Sequence, residues 1–397
     1  MANYAQMNPG KYHLGYRFPT PVLIEKLPMH VEDEYRVELK YKHAVIVNRT
    51  AYVANVQAFS RRKGTIKIES DAMYKSVVNE FDTFASFNKI EAAVNDGDEI
   101  TALAEYGDKI FQYKKNTLYC INVGGQIEFL ESKHAHKGVN NPSAVCKTDF
   151  GIAWVNKHGC YLYDGQNIKN LLESQGLQKV SENSWSSFIS THSPMIGYFP
   201  KKRQLIVVDS SSSAGNGACY IYSMITSSWV KGHNATFASA VLSNFINDYN
   251  GDLVHVTSLT PKTWSDSSAT KTNISLTSKD IDFGNPSVRK KIYKVYLSYK
   301  GDGRAITIGW RINGENSGTP ANFYRINSDG SSSNATNSTT PLHSASVGVS
   351  DWLKAELKPV SSINNVNSFQ LVIGGGSTDS NFAINDISII YRIKSTK

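Results

Sequence analysis

The chain is poor in cysteine and has no long apolar run. Its four cysteines, Cys120, Cys146, Cys160 and Cys219, form no Cys-x-x-Cys pair, and no histidine pair has zinc-finger spacing. This pattern argues against a structural zinc site and a disulfide framework. No apolar stretch approaches the 18 residues or more of a transmembrane helix. The first twenty residues lack a basic segment followed by an apolar one, so we expect a soluble protein made in a cytoplasm.

Charged residues are also sparse, at 19% of 397 residues, whereas aromatic residues reach 11% and include 21 tyrosines. This composition argues against a coiled coil or a disordered tail and favours a tyrosine-rich β protein. The formal net charge is +8. Such a charge permits an acidic partner, but an ordinary basic surface explains it as well.

Catalytic signatures are missing. There is no Gly-x-Ser-x-Gly elbow and no Ser-x-Asp-x-Gly-x-x-Trp turn of the sialidase type, and Thr191-His192-Ser193 has no identifiable acid. Gly374-Gly375-Gly376 is followed by neither Lys-Ser/Thr nor a helix, so it indicates a turn at a sheet end rather than a phosphate loop. We therefore predict that the protein is not an enzyme and needs no cofactor.

Two short motifs have the residue types of metal ligands. Asn95, Asp96 and Asp98 resemble part of a calcium loop, but the remaining spaced ligands and the terminal glutamate are missing. His134 and His136 could face one ion from a strand, yet no third ligand is evident. The competing interpretation of the acidic motif is a turn before a strand, and that of the two histidines is an ordinary loop. We predict no metal site.

One sequence pattern occurs twice. Residues 109–123 read KIFQYKKNTLYCINV and residues 151–165 read GIAWVNKHGCYLYDG, so that Ile110 matches Ile152 and Tyr119 matches Tyr161, 42 residues apart. Each copy has an apolar run, a polar turn and a second apolar run, which is typical of a β-hairpin. Hairpins that recur every 40 to 50 residues or so predict the blades of a β-propeller.

The remaining chain fits the same plan. A third copy begins at Gln204 and contains a Ser/Gly-rich insertion at 210–217, and further strand pairs bring the predicted count to five or six blades within residues 34–282. Residues 1–33, rich in proline, predict an extended arm, either disordered or lying along a neighbouring subunit. Ser181 as an N-cap, with Trp185 and Phe188 three residues apart, predicts a short helix against a blade.

The pattern changes at residue 283. Residues 292–300 alternate strictly, which predicts a half-buried strand with one face formed by Tyr293, Val295, Leu297 and Tyr299. Residues 305–311, 369–373 and 387–393 repeat the scheme. Alternating strands without helices predict an antiparallel β-sandwich over residues 283–397, and hence an all-β protein with a propeller followed by a sandwich.

Five stretches carry a resemblance to a known family: 49–56 (RTAYVANV), 73–84 (MYKSVVNEFDTF), 96–123, 151–165 and 279–299 (KDIDFGNPSVRKKIYKVYLSY). In that order they resemble the tail nozzle or hub proteins of short-tailed bacteriophages, of the tail tubular protein B and stabilisation-protein type. They cover less than half of the chain. The chain is shorter than many nozzles, which puts the extra distal domains of those proteins in doubt here.

The resemblance implies a structural protein of the virion tail, made in the host cytoplasm. Such proteins form a ring, usually a homohexamer, below the portal, contact portal, adaptor or other tail proteins, and let double-stranded DNA pass non-specifically through the axis. No membrane insertion by this chain is implied. Rotational symmetry can build such a tube from one repeated heterologous interface.

A basic cluster in the C-terminal third has one acidic residue within its span, Asp302. Its members are Arg289, Lys290, Lys291, Lys294, Lys300, Arg304 and Arg311. The cluster either lines the DNA channel or pairs with an acidic patch on a neighbouring ring. A solvated sheet face whose charges prevent edge aggregation is the structural alternative.

A different function remains open at this point. The tyrosine content and polar loops would also suit a receptor- or glycan-binding propeller at the tail tip. Ring formation with itself and with tail proteins distinguishes the two possibilities.

Overall fold

A computed structural model describes residues 22–24, 36–60, 65–92, 96–125, 127–189, 193–209, 219–232, 245–257, 260–264, 274–301, 306–326, 332–334, 352–375 and 382–394. The chain divides into two units, Met1–Asp266 and Ser267–Lys397. Within the described residues, no helix has both the length and the apolar character of a membrane span.

Unit 1 begins with a closed barrel of five strands: β1 (Val22–Ile24), β2 (Arg36–Val47), β3 (Thr50–Ser60), β4 (Thr65–Val77) and β5 (Glu80–Ile90). The short β1 closes the barrel, because it pairs antiparallel with β2 and parallel with β5. Residues 22–24, predicted as part of an extended arm, are thus a barrel strand. The rest of the predicted arm lies outside the described residues.

Consecutive antiparallel sheets follow the barrel. The first contains β6 (Ile100–Tyr106), β7 (Lys109–Lys114), β8 (Thr117–Asn122) and β9 (Phe129–Ala135). The second contains β10 (Val145–Thr148), β11 (Gly151–Asn156), β12 (Gly159–Tyr163) and β13 (Ile168–Asn170). A two-stranded ribbon, β14 (Glu173–Ser174) and β15 (Leu177–Gln178), leads to the helix α1 (Glu182–Phe188). Short 3₁₀ turns span Pro142–Ala144 and Pro200–Lys202.

The third four-stranded sheet contains β16 (Pro194–Phe199), β17 (Gln204–Asp209), β18 (Cys219–Ser223) and β19 (Ser228–Gly232). A three-stranded sheet of β20 (Ile246–Asn247), β21 (Leu253–Thr257) and β22 (Thr260–Thr263) completes unit 1. The first strands follow one another in space, since β6 contacts β10 and β10 contacts β16. These sheets are the blades of the predicted propeller type, and the insertion at 210–217 lies outside the described residues.

The 42-residue repeat corresponds to the second and third strands of the first two blades. Ile110 and Ile152 both lie on the second strand, and Gln204 opens the same strand of the third blade. Successive residues of a strand point to opposite faces. Ile110 accordingly packs in the core toward the barrel, whereas Phe111 packs in the core shared with the second blade. Burial on both faces explains why these strands are continuous apolar runs.

Helix α1 confirms the predicted helix and its cap. The Ser181 hydroxyl accepts a hydrogen bond from the Ser184 backbone N–H at 3.3 Å. Trp185 is buried, and its indole N–H donates to the Asn156 carbonyl at 3.0 Å. The indole also packs against Tyr220 and Trp229 of the third blade. The helix therefore covers the seam between the second and third blades.

Unit 2 is an antiparallel β-sandwich. Its strands are β23 (Ile274–Thr277), β24 (Lys290–Lys300), β25 (Ile306–Ile312), β26 (Ala321–Ile326), β27 (Ser332–Asn334), β28 (Leu353–Pro359), β29 (Ile363–Val366), β30 (Phe369–Gly375) and β31 (Ala383–Ile393). One layer contains β23, β30 and β25, the other contains β28, β24, β29 and β31, and β26 joins the two layers by pairing with β25 and β28. Both layers contribute to a single core, with Val295 and Leu357 on one side and Ile308 and Leu371 on the other.

The predicted alternation of β24 is correct after its bulge and wrong before it. Val295, Leu297 and Tyr299 are buried as predicted, but Tyr293 is exposed and Ile292 is buried in its place. A bulge between Ile292 and Lys294 places one extra residue in the strand. An extra residue reverses which side chains point inward.

The all-β fold class predicted from the sequence is confirmed. Two details differ from the prediction. The strands between residues 36 and 90 form a closed barrel, so the blade-like sheets that the structure describes begin at Ile100. The units also divide after Asp266 rather than after residue 282, because β23 pairs with β30 and so belongs to the sandwich.

Candidate functional site

The predicted basic cluster does not form one patch. Lys290 is fully buried, and its ammonium donates to the backbone carbonyls of Asn285 and Asn367, so it cannot face DNA or a partner. Arg311 lies on β25, in the other layer of the sandwich, where its guanidinium donates to the Gly318 carbonyl at 2.8 Å. Arg304 lies outside the described residues. The cluster is therefore corrected to the residues on or beside β24, which are Arg289, Lys291, Lys294 and Lys300.

Lysines and a tyrosine alternate on the outer face of β24. The ammonium groups of Lys294 and Lys354 lie 5.4 Å and 4.1 Å from the centre of the Tyr296 ring. Lys294 also forms an ion pair with Glu356 at 2.8 Å. The hydrogen bond from Lys294 lowers the pKa of the Glu356 carboxyl. On β28, Glu356 thus pairs with Lys294, whereas Lys354 adds a positive charge to this face.

The acidic turn before β6 has a structural role. The Asp96 carboxylate accepts a hydrogen bond from the fully buried Lys114 at 2.7 Å and from the Tyr119 hydroxyl at 3.2 Å. Burial raises the pKa of Asp96, but the hydrogen bonds, led by that from Lys114, lower it by more. Asp98 accepts the Asn116 backbone N–H at 3.2 Å. Both carboxylates are thus engaged with blade residues in the described part of the turn.

The two histidines considered as a metal pair have different neighbours. His134 lies in β9 with its Nε2 3.0 Å from the Ser132 hydroxyl. His136 follows the strand with a backbone φ of 61°, and its ring contacts that of His158 at 5.6 Å between centroids. The structure thus pairs His136 with a histidine of the next blade.

A polar cleft of about 310 Å³ surrounds this histidine pair. Its lining comes from the β7–β8 turn, the segment after β9, the β11–β12 turn and the segment before β16: Lys115, Asn116, His136, Gly138, Asn140, Val155, Asn156, Lys157, His158, Ile189, Ser193 and Pro194. Sequence reasoning missed this cleft. The available signal was the repeat itself, since Lys115 and Lys157 occupy equivalent turn positions 42 residues apart.

A second, apolar cleft of about 490 Å³ lies between the barrel and the first two blades. It is lined mainly by aliphatic and aromatic side chains, among them Ile46, Phe81 and Leu103. An ion pair between Lys147 and Glu105, 2.5 Å apart, is also among its lining residues. Phe81 and Ile46 are exposed, so the apolar lining continues onto the barrel surface.

Comparisons with known proteins add little. No family model matches the chain, and no curated protein matches it. Among solved structures it is similar to the core factor of S. cerevisiae, with 10% identity over 82% of this chain and 54% of that chain at a TM-score of 0.27. It therefore spans about half of that chain.

Two further solved structures show a similar degree of likeness. The WD40 domain of SCAP from fission yeast is 10% identical over 85% of this chain and 94% of that chain, with a TM-score of 0.26. The GH32 β-fructofuranosidase BmSUC1 of Bombyx mori is 9% identical over 86% of this chain and 79% of that chain, with a TM-score of 0.21. Scores this low carry no argument, so the assignment of the fold rests on the strand pairing described above.

Proposed function

We propose that the chain is a structural subunit of a short-tailed phage tail, which forms a ring below the portal and guides double-stranded DNA. Its work is assembly, sealing and passage of DNA rather than catalysis. The sequence resemblance in five stretches motivates this proposal. Four of the five stretches lie in the barrel and the first two blades, whose strands pack through shared cores.

The observation that carries the proposal is the apolar surface of the barrel. Ile68 is 70% exposed and Phe87 is 64% exposed. Other large apolar side chains exposed on the barrel are Ile46, Ile66, Val77, Val78 and Phe81. Ile66 and Ile68 lie two residues apart on β4, so their side chains point to the same side of that strand. Exposed apolar groups that adjoin one another are typical of protein–protein interfaces. A ring in which each subunit contacts its neighbour through this element would remove them from water.

The test is the mass of the purified full chain by light scattering, followed by negative-stain images alone and with candidate portal and adaptor proteins. We expect rings with an open axis. Ile68→Thr together with Phe87→Ser should shift the protein to smaller species. Ile225→Thr is the matched control, because Ile225 is equally exposed but lies in the β18–β19 turn. A wild-type monomer that forms no ring with any tail partner would refute the proposal.

The corrected basic face on β24 belongs to the same proposal, either beside DNA or against an acidic patch of a neighbouring ring. Each phosphate neutralised adds about one unit to the slope of log affinity against log salt. Changing Lys291 and Lys294 to Gln should reduce that slope for a DNA duplex by about two if both contact phosphates. An unchanged slope, with fewer rings, would assign the face to the subunit interface.

A glycan- or receptor-binding role at the tail tip is the second candidate. It is favoured by Tyr249, which is 97% exposed in the turn between β20 and β21. Exposed aromatic rings provide rigid contact area at low entropic cost. Binding of host-surface glycans that is lost in Tyr249→Ala, by a protein that forms no rings, would favour this function.

A further inference from the structure

The polar cleft around His136 and His158 is constructed by the propeller repeat. Lys115 in the β7–β8 turn and Lys157 in the β11–β12 turn are equivalent residues of two successive blades. Adjacent blades place equivalent turns side by side. Both lysines therefore line one cleft, together with Ile189, Ser193 and Pro194.

Asn156 holds the two histidine-bearing segments together. Its side-chain amide donates to the carbonyls of His136 at 3.1 Å and Gly138 at 2.8 Å. Its side-chain carbonyl accepts the backbone N–H groups of His158 at 2.8 Å and Gly159 at 3.1 Å. The Asn156 side chain thus joins the backbone that carries His136 to the backbone that carries His158, and so holds the two imidazole rings near each other.

The backbone at the cleft is constrained by a close approach. His136 adopts a left-handed conformation, with φ of 61°. Gly138 lies two residues later, and a Cβ at that position would lie 2.1 Å from the Lys114 carbonyl oxygen. Strained or crowded backbone of this kind often occurs where side chains are held for binding. The arrangement directs the His136 ring to His158 rather than along β9.

The charges around the cleft are mainly positive. Among the described residues that line it, none is Asp or Glu, whereas Lys115, Lys157, His136 and His158 all carry or can acquire positive charge. Asn116, Asn140 and Ser193 add amide and hydroxyl groups that can donate hydrogen bonds.

Neighbouring charged groups leave this balance positive. Glu99 lies 3.2 Å from Lys115 but is shared with Lys42 at 3.3 Å. Asp98 accepts the Asn116 backbone N–H from outside the cleft lining. Lys137 follows His136 and places its ammonium 4.7 Å from the centre of the Tyr161 ring. His134, on β9, stays beside Ser132.

We propose that this cleft binds a phosphoryl group or another doubly charged oxyanion, and that protonation of His136 and His158 strengthens the binding. Two lysines and two imidazoliums within one concave site suit a dianion better than a single carboxylate. Without an anion, the two imidazoliums would repel each other. Burial, Lys157 and His136 all lower the pKa of His158, which is the direction expected in a cationic cleft.

The sign of the pH dependence follows by linkage. An anion bound between the rings favours the charged form of His158 and so raises its pKa in the complex. Anion affinity must then rise as pH falls through the range in which the histidines titrate. The lysines remain charged throughout that range, so they contribute affinity without pH dependence.

Sulfate is the appropriate probe, because its charge of minus two does not change between pH 6 and 8. Calorimetric titration of the full chain at constant ionic strength should show sulfate binding at least about tenfold tighter at pH 6 than at pH 8, which is 1.4 kcal/mol. His158→Gln or His136→Asn alone should weaken binding at pH 6 and reduce its pH dependence, and the two changes together should remove that dependence. Lys157→Gln should weaken binding at both pH values.

Matched controls are available on the same blades. His134→Asn and Lys133→Gln change the same residue types on β9 without altering the cleft lining, and should bind sulfate like the wild type. Acetate at the same ionic strength should bind at least about tenfold more weakly than sulfate at pH 6. Circular dichroism checks that each variant is folded.

Nuclear magnetic resonance of histidine ring carbons supplies a second measurement. Sulfate should raise the pKa of His158 and leave that of His134 unchanged. Equal sulfate affinity in wild type, His158→Gln and Lys157→Gln would overturn the proposal. The same conclusion would follow if sulfate shifted no histidine pKa. The readout is ligand binding, so it does not depend on ring formation.

Discussion

Replacing Lys290 tests the correction of the basic cluster most directly. This lysine opens β24 and is fully buried, with its ammonium hydrogen-bonded to the carbonyls of Asn285 and Asn367. Lys290→Met keeps the apolar stem and removes both hydrogen bonds. The neighbouring change Lys291→Met is the control, because Lys291 is only partly buried and its ammonium lies 5.0 Å from the exposed Tyr293 ring.

The expected magnitude follows from what each substitution leaves behind. A buried acceptor without a partner costs about 1–3 kcal/mol, so two carbonyls cost about 2–6 kcal/mol. Removing the ammonium recovers part of its desolvation penalty. We therefore expect a net loss of about 2–3 kcal/mol for Lys290→Met, against less than about 0.5 kcal/mol for Lys291→Met.

Hydrogen exchange followed by mass spectrometry measures this locally, which is necessary because a chain of two units need not unfold in one step. Amides of β24 should exchange about 30- to 140-fold faster in Lys290→Met, since 1.4 kcal/mol corresponds to a tenfold change. Amides of the first blade should be unaffected. Unchanged protection of β24 would refute the structural role of Lys290 and return it to the candidate DNA-contacting residues.

Three further outcomes are expected, each measured by urea unfolding as a change in the transition of unit 1, which contains all the residues concerned. Gly151→Ala should destabilise the second blade by at least about 3 kcal/mol, because the φ of Gly151 is 137° and a Cβ there would lie 1.8 Å from a backbone carbonyl oxygen. Gly176→Ala is the control, since Gly176 also has a positive φ but open space around it, and it should cost about 1 kcal/mol. Similar losses in the two variants would contradict the argument from crowding. Gln112→Met should stabilise the chain by about 1–2 kcal/mol, because neither polar side-chain atom of this buried residue has a partner among the described residues. Destabilisation would contradict this and would indicate that a bound water forms hydrogen bonds with the Gln112 amide. The pKa of Glu99 is lowered from 4.5 to about 2 by hydrogen bonds from Asn55, Lys115 and Lys42. The stability that the charged Glu99 contributes is therefore present above pH 4.5 and lost as pH falls through 2. The stability difference between wild type and Glu99→Gln should shrink over that range, and a difference independent of pH would refute this role of Glu99.

Much of the fold could be read from local patterns. The two copies at 109–123 and 151–165 predicted hairpins, and they form the second and third strands of the first two blades. Ser181 and the spacing of Trp185 and Phe188 predicted α1. Such features depend on interactions between near neighbours in the chain, which periodicity and capping report directly.

Closure and register could not be read in this way. The barrel closes because β1 pairs with β5, about sixty residues away, and nothing in three residues of sequence specifies that pairing. The bulge at Tyr293 likewise depends on the register of β31 against β24. Because of this bulge, Lys290 points into the core rather than to the outer face of β24, and so it does not belong to the basic face.

The sequence by itself determined the all-β class, the repeated hairpins and the sparse, net positive charge. Tertiary structure alone decided which charged groups meet. Lys294 forms an ion pair with Glu356, and Arg311 lies in the opposite layer of the sandwich. Lys115 and Lys157 line one cleft together with two histidines. The physical reason is that hydrophobic alternation records which face of a strand is buried, whereas the neighbours of an outward-facing charge are set by long-range pairing and blade order.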